Sequence, residues 1–231
     1  MRSQGGTKSI ASEVPVEAQL REDLRDAMKN PTEDSKLPKV LLIGDSISIG
    51  YTLPVRQILQ GKAAVYRPPE NCQHTAYGLK NLKAWLGPHS WSVIHFNWGI
   101  WDTHYLDVKT GELVQNEKER SPDQLRIRHP LAEYRQNLNA VVDILKRTGA
   151  HLIWASSTPI MFRTGARFED IIRYNAVAAD VMKERGIPID DLYSDSFLHA
   201  QEWQAEDRCH FNELGNLNLG RQVSRAILDF L

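Results

Sequence analysis

The chain has 231 residues, of which 42% are hydrophobic and 25% charged, a size and composition typical of one globular α/β domain. Lys and Arg total 28 against 29 for Asp and Glu, a formal net charge of −1 that gives no support to nucleic acid or an anionic membrane surface as a partner. No run approaches the roughly 20 apolar residues that a membrane helix needs.

The first part of the chain differs in character from the rest. Residues 1–38 are polar and charged, with one helical stretch near Val16–Met28. They predict an arm that lies on the surface of a single domain formed by residues 39–231. Residues 1–11 lack the apolar centre of a signal peptide. The chain as it stands therefore predicts a soluble, cytoplasmic protein, or a secreted or periplasmic one if a leader has been removed.

From residue 39 onward, short apolar runs alternate with helical segments. Strands are predicted at 40–43, 63–66, 91–98, 151–154 and 187–192, and helices at 53–59, 79–86, 131–146, 168–184 and 213–230. Residues 103–129 are predicted to be a long irregular loop, which in a compact domain is more often functional than accidental. The alternation predicts an α/β fold with a mainly parallel sheet and helices on both faces. The ligand site of such a sheet lies outside the carboxyl ends of its strands.

A serine follows the first predicted strand directly, in the segment Gly44-Asp45-Ser46. Ser46 would thus lie at the top of the sheet, near the amino end of a helix whose backbone N–H groups can bind a developing oxyanion. Turns and helix caps favour the same residue types, so the segment alone leaves a structural interpretation open.

A second signal precedes the last predicted helix, where Asp207 stands three residues before His210. A hydroxyl of ordinary pKa is a poor nucleophile, and it needs an adjacent base that a third group holds in place. Asp207 and His210 supply such a base and holder, and Asn212 is a natural cap for the helix that follows. A lone histidine here is typical of a surface residue, but its combination with Ser46 indicates nucleophilic chemistry.

With these blocks the chain resembles the SGNH (GDSL-type) hydrolases, a family of esterases and lipases, over Lys39–Leu231. The resemblance implies a flavodoxin-like three-layer sandwich with a central, mainly parallel five-stranded sheet. It also implies that Ser46 is the nucleophile and donates its N–H to the oxyanion, that Asp207 and His210 complete a triad, and that no cofactor is required. The histidines show no metal-ligand spacing, which predicts no metal.

Two of the family's blocks are altered in this chain. Gln73 stands where the family has a glycine whose N–H binds the oxyanion, and the resemblance implies that the Gln73 N–H takes over this role. The third block reads Gly99-Ile100-Trp101-Asp102, with Trp101 in place of the family's oxyanion-binding Asn. The indole of Trp101 or the amide of Asn97 would replace that donor, or the donor is absent.

The aromatic and polar residues around these blocks indicate which classes of ester the site could bind. Asp45 and Trp98 are further candidate substrate-binding residues, although Asp45 is more typical of a loop brace and Trp98 of core. Aromatic and polar residues that suit a sugar face or a core gather near the predicted site: Tyr51, Trp98, Trp101, His104, Tyr105 and Trp203. Carbohydrate esters and other short-chain esters therefore both stay open as substrates.

The predicted function is a serine-dependent esterase that hydrolyses short-chain esters, acetyl esters foremost, through an acyl-enzyme. The predicted partner is a small-molecule or carbohydrate ester, with no nucleic acid or membrane, and the oligomeric state is undetermined. The altered blocks keep open a degenerate domain that binds carbohydrate or protein without turnover, and an acyltransferase would use the same triad. Cys72 and Cys209 are two free thiols or one bridge.

Overall fold

The predicted strands form one parallel sheet in the computed structural model, which describes residues 24–32, 36–114, 117–161 and 165–231. Seven strands are present in these residues: β1 Lys39–Ile43, β2 Ala64–Tyr66, β3 Val93–Phe96, β4 Tyr105–Asp107, β5 Leu125–Ile127, β6 His151–Ala155 and β7 Ile189–Asp190. Five of them make the central sheet in the order β2-β1-β3-β6-β7, and every neighbouring pair is parallel. This order confirms the predicted flavodoxin-like sheet.

Helices follow the strands of the sheet in chain order. They are α1 Ser46–Ile58, α2 Thr75–Leu86, α3 Leu131–Lys146, α4 Phe168–Glu184, α5 Leu192–Leu198, α6 Ala200–Trp203 and α7 Glu213–Leu228. Successive residues of β1 point to opposite faces of the sheet. Leu41 and Ile43 lie in one apolar core with residues of α2, α3 and α4, whereas Val40 and Leu42 lie in a second core with residues of α1 and α7. The fold is therefore the predicted three-layer α/β sandwich.

Two glycines set the contact between α1 and α7. A Cβ added at Gly50 would lie 2.4 Å from Oδ1 of Asn216, and one at Gly220 would lie 2.5 Å from Cβ of Pro54. Residues 50 and 54 of α1 thus face residues 216 and 220 of α7 in the same order. The two helices run side by side in the same direction, so their first turns lie together at the carboxyl end of the sheet.

The described part of the N-terminal segment packs on the edge of the sheet beside β2. Residues 24–28 are helical, and Ala27 is buried. The Asn30 side chain donates to the Arg67 carbonyl at 2.8 Å and accepts from the Arg67 N–H at 2.9 Å. The Asn30 side chain therefore hydrogen-bonds both backbone groups of Arg67 at the edge of the sheet, as a neighbouring strand would. The rest of the predicted helix at Val16–Met28 lies outside the described residues, and the division at residue 38 stays a prediction.

The structure differs from the prediction mainly between the strands. α1 begins at Ser46 rather than at residue 53, because Asp45 caps it and the helix accommodates Pro54. The predicted loop 103–129 contains an antiparallel hairpin of β4 and β5. The helices α5 and α6 were not predicted. Within the described part of the chain, no helix is both long and apolar enough to cross a membrane.

Candidate active site

Ser46 is the first residue of α1 and lies just beyond the carboxyl end of β1. Asp45 is buried and caps the helix, since its Oδ1 accepts the N–H of Ile47 at 3.0 Å. No described residue accepts the N–H of Ser46, which is one of the unsatisfied donors at a helix start. The nucleophile candidate thus carries its own free N–H at the positive end of a helix.

The segment before α7 is folded around the carboxylate of Asp207. Its Oδ1 accepts the backbone N–H groups of Cys209 at 3.0 Å and His210 at 2.9 Å, and its Oδ2 lies 2.5 Å from Nδ1 of His210. Arg208 adopts the left-handed region, with φ 55°, which lets the turn close this tightly. Asn212 then caps α7 as predicted, because its side chain accepts the N–H of Gly215 at 2.9 Å.

The two segments meet because α1 and α7 start side by side. Oγ of Ser46 lies 2.8 Å from Nε2 of His210, and Nδ1 of His210 lies against Asp207. The three predicted triad residues therefore form one continuous hydrogen-bonded line. The site is open to solvent, since the side chains of His210 and Asp207 are 39% and 52% exposed.

The electrostatics of Asp207 favour its charged form. Partial burial acts to raise the pKa of this carboxyl, but hydrogen bonds from the His210 ring and from the N–H groups of Cys209 and His210 outweigh it. The pKa of Asp207 is consequently held below its ordinary value. An ionised Asp207 keeps a proton on Nδ1 of His210 and leaves Nε2 free to accept from Ser46.

Three of the predicted oxyanion or pocket donors are engaged elsewhere. The amide of Asn97 donates to the Ala155 carbonyl at 2.7 Å and to Ser157 Oγ at 3.3 Å, so both of its hydrogens are used. The indole N–H of Trp98 donates to the Cys72 carbonyl at 3.1 Å from a buried ring. The N–H of Gln73 donates to Oδ1 of Asn71 at 2.9 Å.

Gln73 nevertheless has the backbone expected at a glycine position. Its φ is 48°, in the left-handed region that glycine adopts without strain. The remaining candidate, Trp101, is half-buried, and its indole N–H donates to no described residue. Of the predicted oxyanion donors, the N–H of Ser46 and the indole N–H of Trp101 therefore have no hydrogen-bond acceptor among the described residues.

Asp102 and Arg67 brace the loops around Ser46. The buried Asp102 carboxylate accepts the Thr75 N–H at 3.1 Å and its hydroxyl at 2.5 Å, and this bond joins the loop after β3 to the start of α2. Burial raises the pKa of Asp102 to about 7, although the hydrogen bonds from Thr75 oppose it. Asp45 and Asp102 therefore both act as loop braces, Asp45 through Ile47 and Asp102 through Thr75.

The Arg67 guanidinium is buried and forms no ion pair among the described residues. It donates to the hydroxyls of Ser48 and Thr52 and to the carbonyls of Gly44, Pro68 and Glu70 at distances of 3.1–3.5 Å. Arg67 therefore ties the loop that carries Ser46 to the loop that carries Gln73. Burial lowers the pKa of Arg67, with the Cys72, Tyr51 and Asp45 side chains opposing.

The aromatic residues divide into core and surface. Tyr51, Trp98 and His104 are buried, which favours the core interpretation of these residues over the substrate-facing one. Trp101, Tyr105 and Trp203 are partly exposed. The ring of Trp203 stacks on His199 with centroids 4.3 Å apart, and its carbonyl accepts the N–H of Asn212 next to the triad segment.

Thiol and metal chemistry find no support in the described residues. Cys72 and Cys209 are both buried, and they form no disulfide with each other. Burial raises the pKa of Cys72 to about 12 despite the nearby Arg67, so its thiol stays protonated and inert. Among the described side chains, no three His, Cys, Asp or Glu residues are grouped as metal ligands would be.

Solved structures share this fold over most of the chain. A lipase/acylhydrolase from Enterococcus faecalis matches with a TM-score of 0.64 at 20% identity, over 83% of this chain and 95% of that one. The acetyl xylan esterase AlAXEase matches with a TM-score of 0.64 at 15% identity, over 82% and 99%. Axe2, an acetylxylan esterase from Geobacillus stearothermophilus, matches with a TM-score of 0.64 at 17% identity, over 82% and 94%.

These similarities define the class of fold, a three-layer α/β sandwich that ester hydrolases use. GDSL-type proteins from Bacteroides thetaiotaomicron and Desulfitobacterium hafniense also match, with TM-scores of 0.63 and 0.58. The chain thus has the fold of the SGNH (GDSL-type) hydrolases, as its sequence motifs predicted. No family sequence profile and no curated protein sequence matches it.

Proposed function

We propose that the protein is a serine-dependent esterase that hydrolyses short-chain esters, acetyl esters foremost, through an acyl-enzyme. The observation that carries this proposal is the line of hydrogen bonds from Ser46 through His210 to Asp207, at 2.8 Å and 2.5 Å. A nucleophile, a base and a group that orients the base are the parts that acyl transfer by serine needs.

In the first half of the reaction, Oγ of Ser46 attacks the ester carbonyl carbon and gives its proton to Nε2 of His210. The carbonyl oxygen becomes an oxyanion, which accepts the free N–H of Ser46 at the start of α1. His210 then passes its proton to the leaving alcohol, and the acyl group remains on Ser46. Asp207 stabilises the imidazolium formed on the way.

In the second half, water replaces the alcohol. His210 accepts a proton from water, the hydroxide attacks the acyl carbon, and the acid leaves when Oγ of Ser46 recovers its proton. The indole N–H of Trp101 takes the place of the missing third-block Asn as a second oxyanion donor. The N–H of Gln73 would join them only if Asn71 released it. An acyltransferase differs only in that an alcohol replaces water.

The open site favours a substrate that approaches along a surface, because His210 and Asp207 keep 39% and 52% of their side-chain exposure. Trp101 and Trp203 are partly exposed rings of the kind that pack on sugars. Two of the similar solved structures are acetyl xylan esterases by name. We therefore propose an acetylated carbohydrate as the substrate class.

The test is hydrolysis of p-nitrophenyl acetate, butyrate and octanoate by the purified protein and by Ser46→Ala. We expect turnover that is fastest on acetate and at least about 10³-fold slower in Ser46→Ala. The matched control is Ser121→Ala, an exposed serine that should leave the rate unchanged. A fluorophosphonate should add to wild-type protein once and not to Ser46→Ala, which identifies the nucleophile by mass.

The alternative is a catalytically degenerate domain that binds carbohydrate or protein on the same fold. It is favoured by one observation, the engagement of Asn97 and Gln73 in structural hydrogen bonds, because losing one oxyanion donor costs about 10²–10³ in turnover. Equal rates in wild type and Ser46→Ala, with measurable binding of a xylo-oligosaccharide to both, would establish this alternative.

A further inference from the structure

Arg128 lies beside the third block of the site and is not used by the proposed mechanism. Its backbone N–H donates to the His104 carbonyl at 2.8 Å, and the next residue, His129, donates to the Asp102 carbonyl at 3.2 Å. The guanidinium carbon lies 5.5 Å from the centre of the Trp101 ring, in cation–π contact. The cation is therefore held above the residue that replaces the family's oxyanion-binding Asn.

The guanidinium of Arg128 lacks the partners that such a group normally has. Its Nη1 is buried and donates to no atom of the described residues, and no side-chain hydrogen bond or ion pair of Arg128 exists among them. The other guanidinium donors, Nε and Nη2, are not among the buried unpaired atoms, so they face solvent and can pair with an acceptor that a bound molecule brings. The chemistry that matches a guanidinium fork is a planar anion with two oxygens.

The groups around Arg128 leave its positive charge in excess. The buried Asp102 attracts it, but this carboxyl already binds Thr75, and burial raises its pKa to about 7. Arg126 adds a second positive charge nearby. Burial and the charge of Arg128 lower the pKa of His74 to about 4, so this histidine is neutral and contributes no compensating charge.

We propose that Trp101 and Arg128 form a subsite for a carboxylate group carried by the ester substrate, with the indole as its floor and the guanidinium as its partner. This inference rests on the proposed esterase function and narrows it to esters of acidic molecules, such as acetylated acidic sugars. The carboxylate belongs to the alcohol or to the acyl part of the ester, and substrate pairs distinguish the two sources.

The test compares a charged and a neutral ester of each kind. For the alcohol part the pair is 7-acetoxycoumarin-3-carboxylate and 7-acetoxycoumarin, and for the acyl part it is p-nitrophenyl hemisuccinate and p-nitrophenyl butyrate. We expect kcat/KM to favour the charged member of one pair by about tenfold or more, since charge-assisted pairs are strong. The preference should shrink with added salt.

Variants assign the preference to Arg128. Arg128→Met should abolish it while leaving the rate on the neutral esters within about threefold, and Arg128→Lys should keep only part of it. Arg126→Met, on an exposed neighbouring arginine, is the matched control and should keep the preference. If Arg128→Met lowers kcat/KM equally on charged and neutral esters, the subsite is overturned. Arg128 would then act by stabilising the oxyanion or the conformation of the loops.

Failure of the subsite and failure of the esterase are separable. Ser46-dependent hydrolysis without preference for either charged ester would overturn the subsite and leave the proposed function standing. If no ester is hydrolysed, the subsite is tested by binding of 7-hydroxycoumarin-3-carboxylate and 7-hydroxycoumarin to Ser46→Ala, followed by fluorescence. The subsite is supported if Ser46→Ala binds the carboxylate more tightly than 7-hydroxycoumarin and the double variant Ser46→Ala, Arg128→Met loses this difference. Equal binding of the two compounds by Ser46→Ala overturns the subsite.

Discussion

The hydroxyl of Thr75 donates a 2.5 Å hydrogen bond to Oδ1 of Asp102, and the two residues are 27 positions apart in the chain. Thr75 is the first residue of α2, and Asp102 is the last residue of the third block. Their contact joins the segments of the second and third blocks. It also places an acid in complete burial, which has a consequence for the pH dependence of stability.

Asp102 should make the protein less stable as pH rises towards 7. Burial raises its folded-state pKa from 3.8 to about 7, so the folded state holds this proton more tightly than the unfolded state. The stabilising contribution is therefore complete below about pH 4 and is lost between about pH 4 and pH 7, on the order of a few kcal/mol. Urea unfolding at pH 5, 6 and 8 measures it.

The isosteric variant Asp102→Asn isolates this contribution. Its amide oxygen can still accept from Thr75, and it carries no charge at any of these pH values. We expect its free energy of unfolding to change less than that of wild type between pH 5 and pH 8. Parallel curves for the two proteins would show that Asp102 is already ionised in the folded state at pH 5.

Asp207→Asn should lower kcat more than it changes KM. The carboxylate orients the His210 ring and stabilises the imidazolium, and an amide would offer a hydrogen to Nδ1 and favour the wrong tautomer. We expect kcat on p-nitrophenyl acetate to fall about 10²–10⁴-fold, with KM within about threefold. The exposed neighbour Glu206→Gln should retain wild-type kinetics, and an unchanged kcat in Asp207→Asn would remove Asp207 from the triad.

Gly220→Ala should damage the site from a distance. The new Cβ would lie 2.5 Å from Cβ of Pro54, so α1 and α7 must move apart. We expect a loss of about 1–3 kcal/mol in the free energy of unfolding, together with a lower kcat as Ser46 and His210 separate. The adjacent exposed variant Arg221→Ala should change stability by less than about 0.5 kcal/mol. Unchanged stability and kcat in Gly220→Ala would refute this close contact.

Asn30→Ala tests the proposed surface arm. Its side chain satisfies both backbone groups of Arg67, and alanine would leave them without these partners. We expect a loss of about 1–2 kcal/mol in the free energy of unfolding, with kcat unchanged. Lys29→Ala, which removes only an exposed ion pair with Asp26, is the control. A loss of activity would mean that residues 1–38 belong to the catalytic domain rather than to an arm on it.

The sequence predicted the parts of the fold that depend on local pattern. Apolar runs that are buried on both faces specify parallel strands, and the segments around Ser46 and His210 lie where strands end and helices begin. The start of α1 was placed seven residues late because Pro54 argues against a helix interior, a preference that the Asp45 cap and tertiary packing override. The hairpin of β4 and β5 escaped prediction because its strands are three residues long.

The oxyanion side of the site could not be predicted in this way. Whether Asn97 points to a ligand or to the Ala155 carbonyl is decided by side-chain direction, which spacing does not report. Arg67 and Arg128 were missed for a related reason, because an arginine in a loop is normally exposed. The sequence offers only a weak indication of either residue: Arg67 directly follows the buried strand β2, and Arg128 lies near the end of the long predicted loop.

The pairing of α1 with α7 also bears on how the protein is made. Ser46 and His210 are 164 positions apart, and α7 is the last helix of the sheet's second core. On the proposed mechanism, a ribosome-bound chain that has emerged only as far as β7 carries a serine with no base beside it. Such a chain would have an unreactive hydroxyl at the top of a nearly complete sheet. Esterase activity would therefore require that α7 has been synthesised and has docked beside α1, and its onset would report that docking.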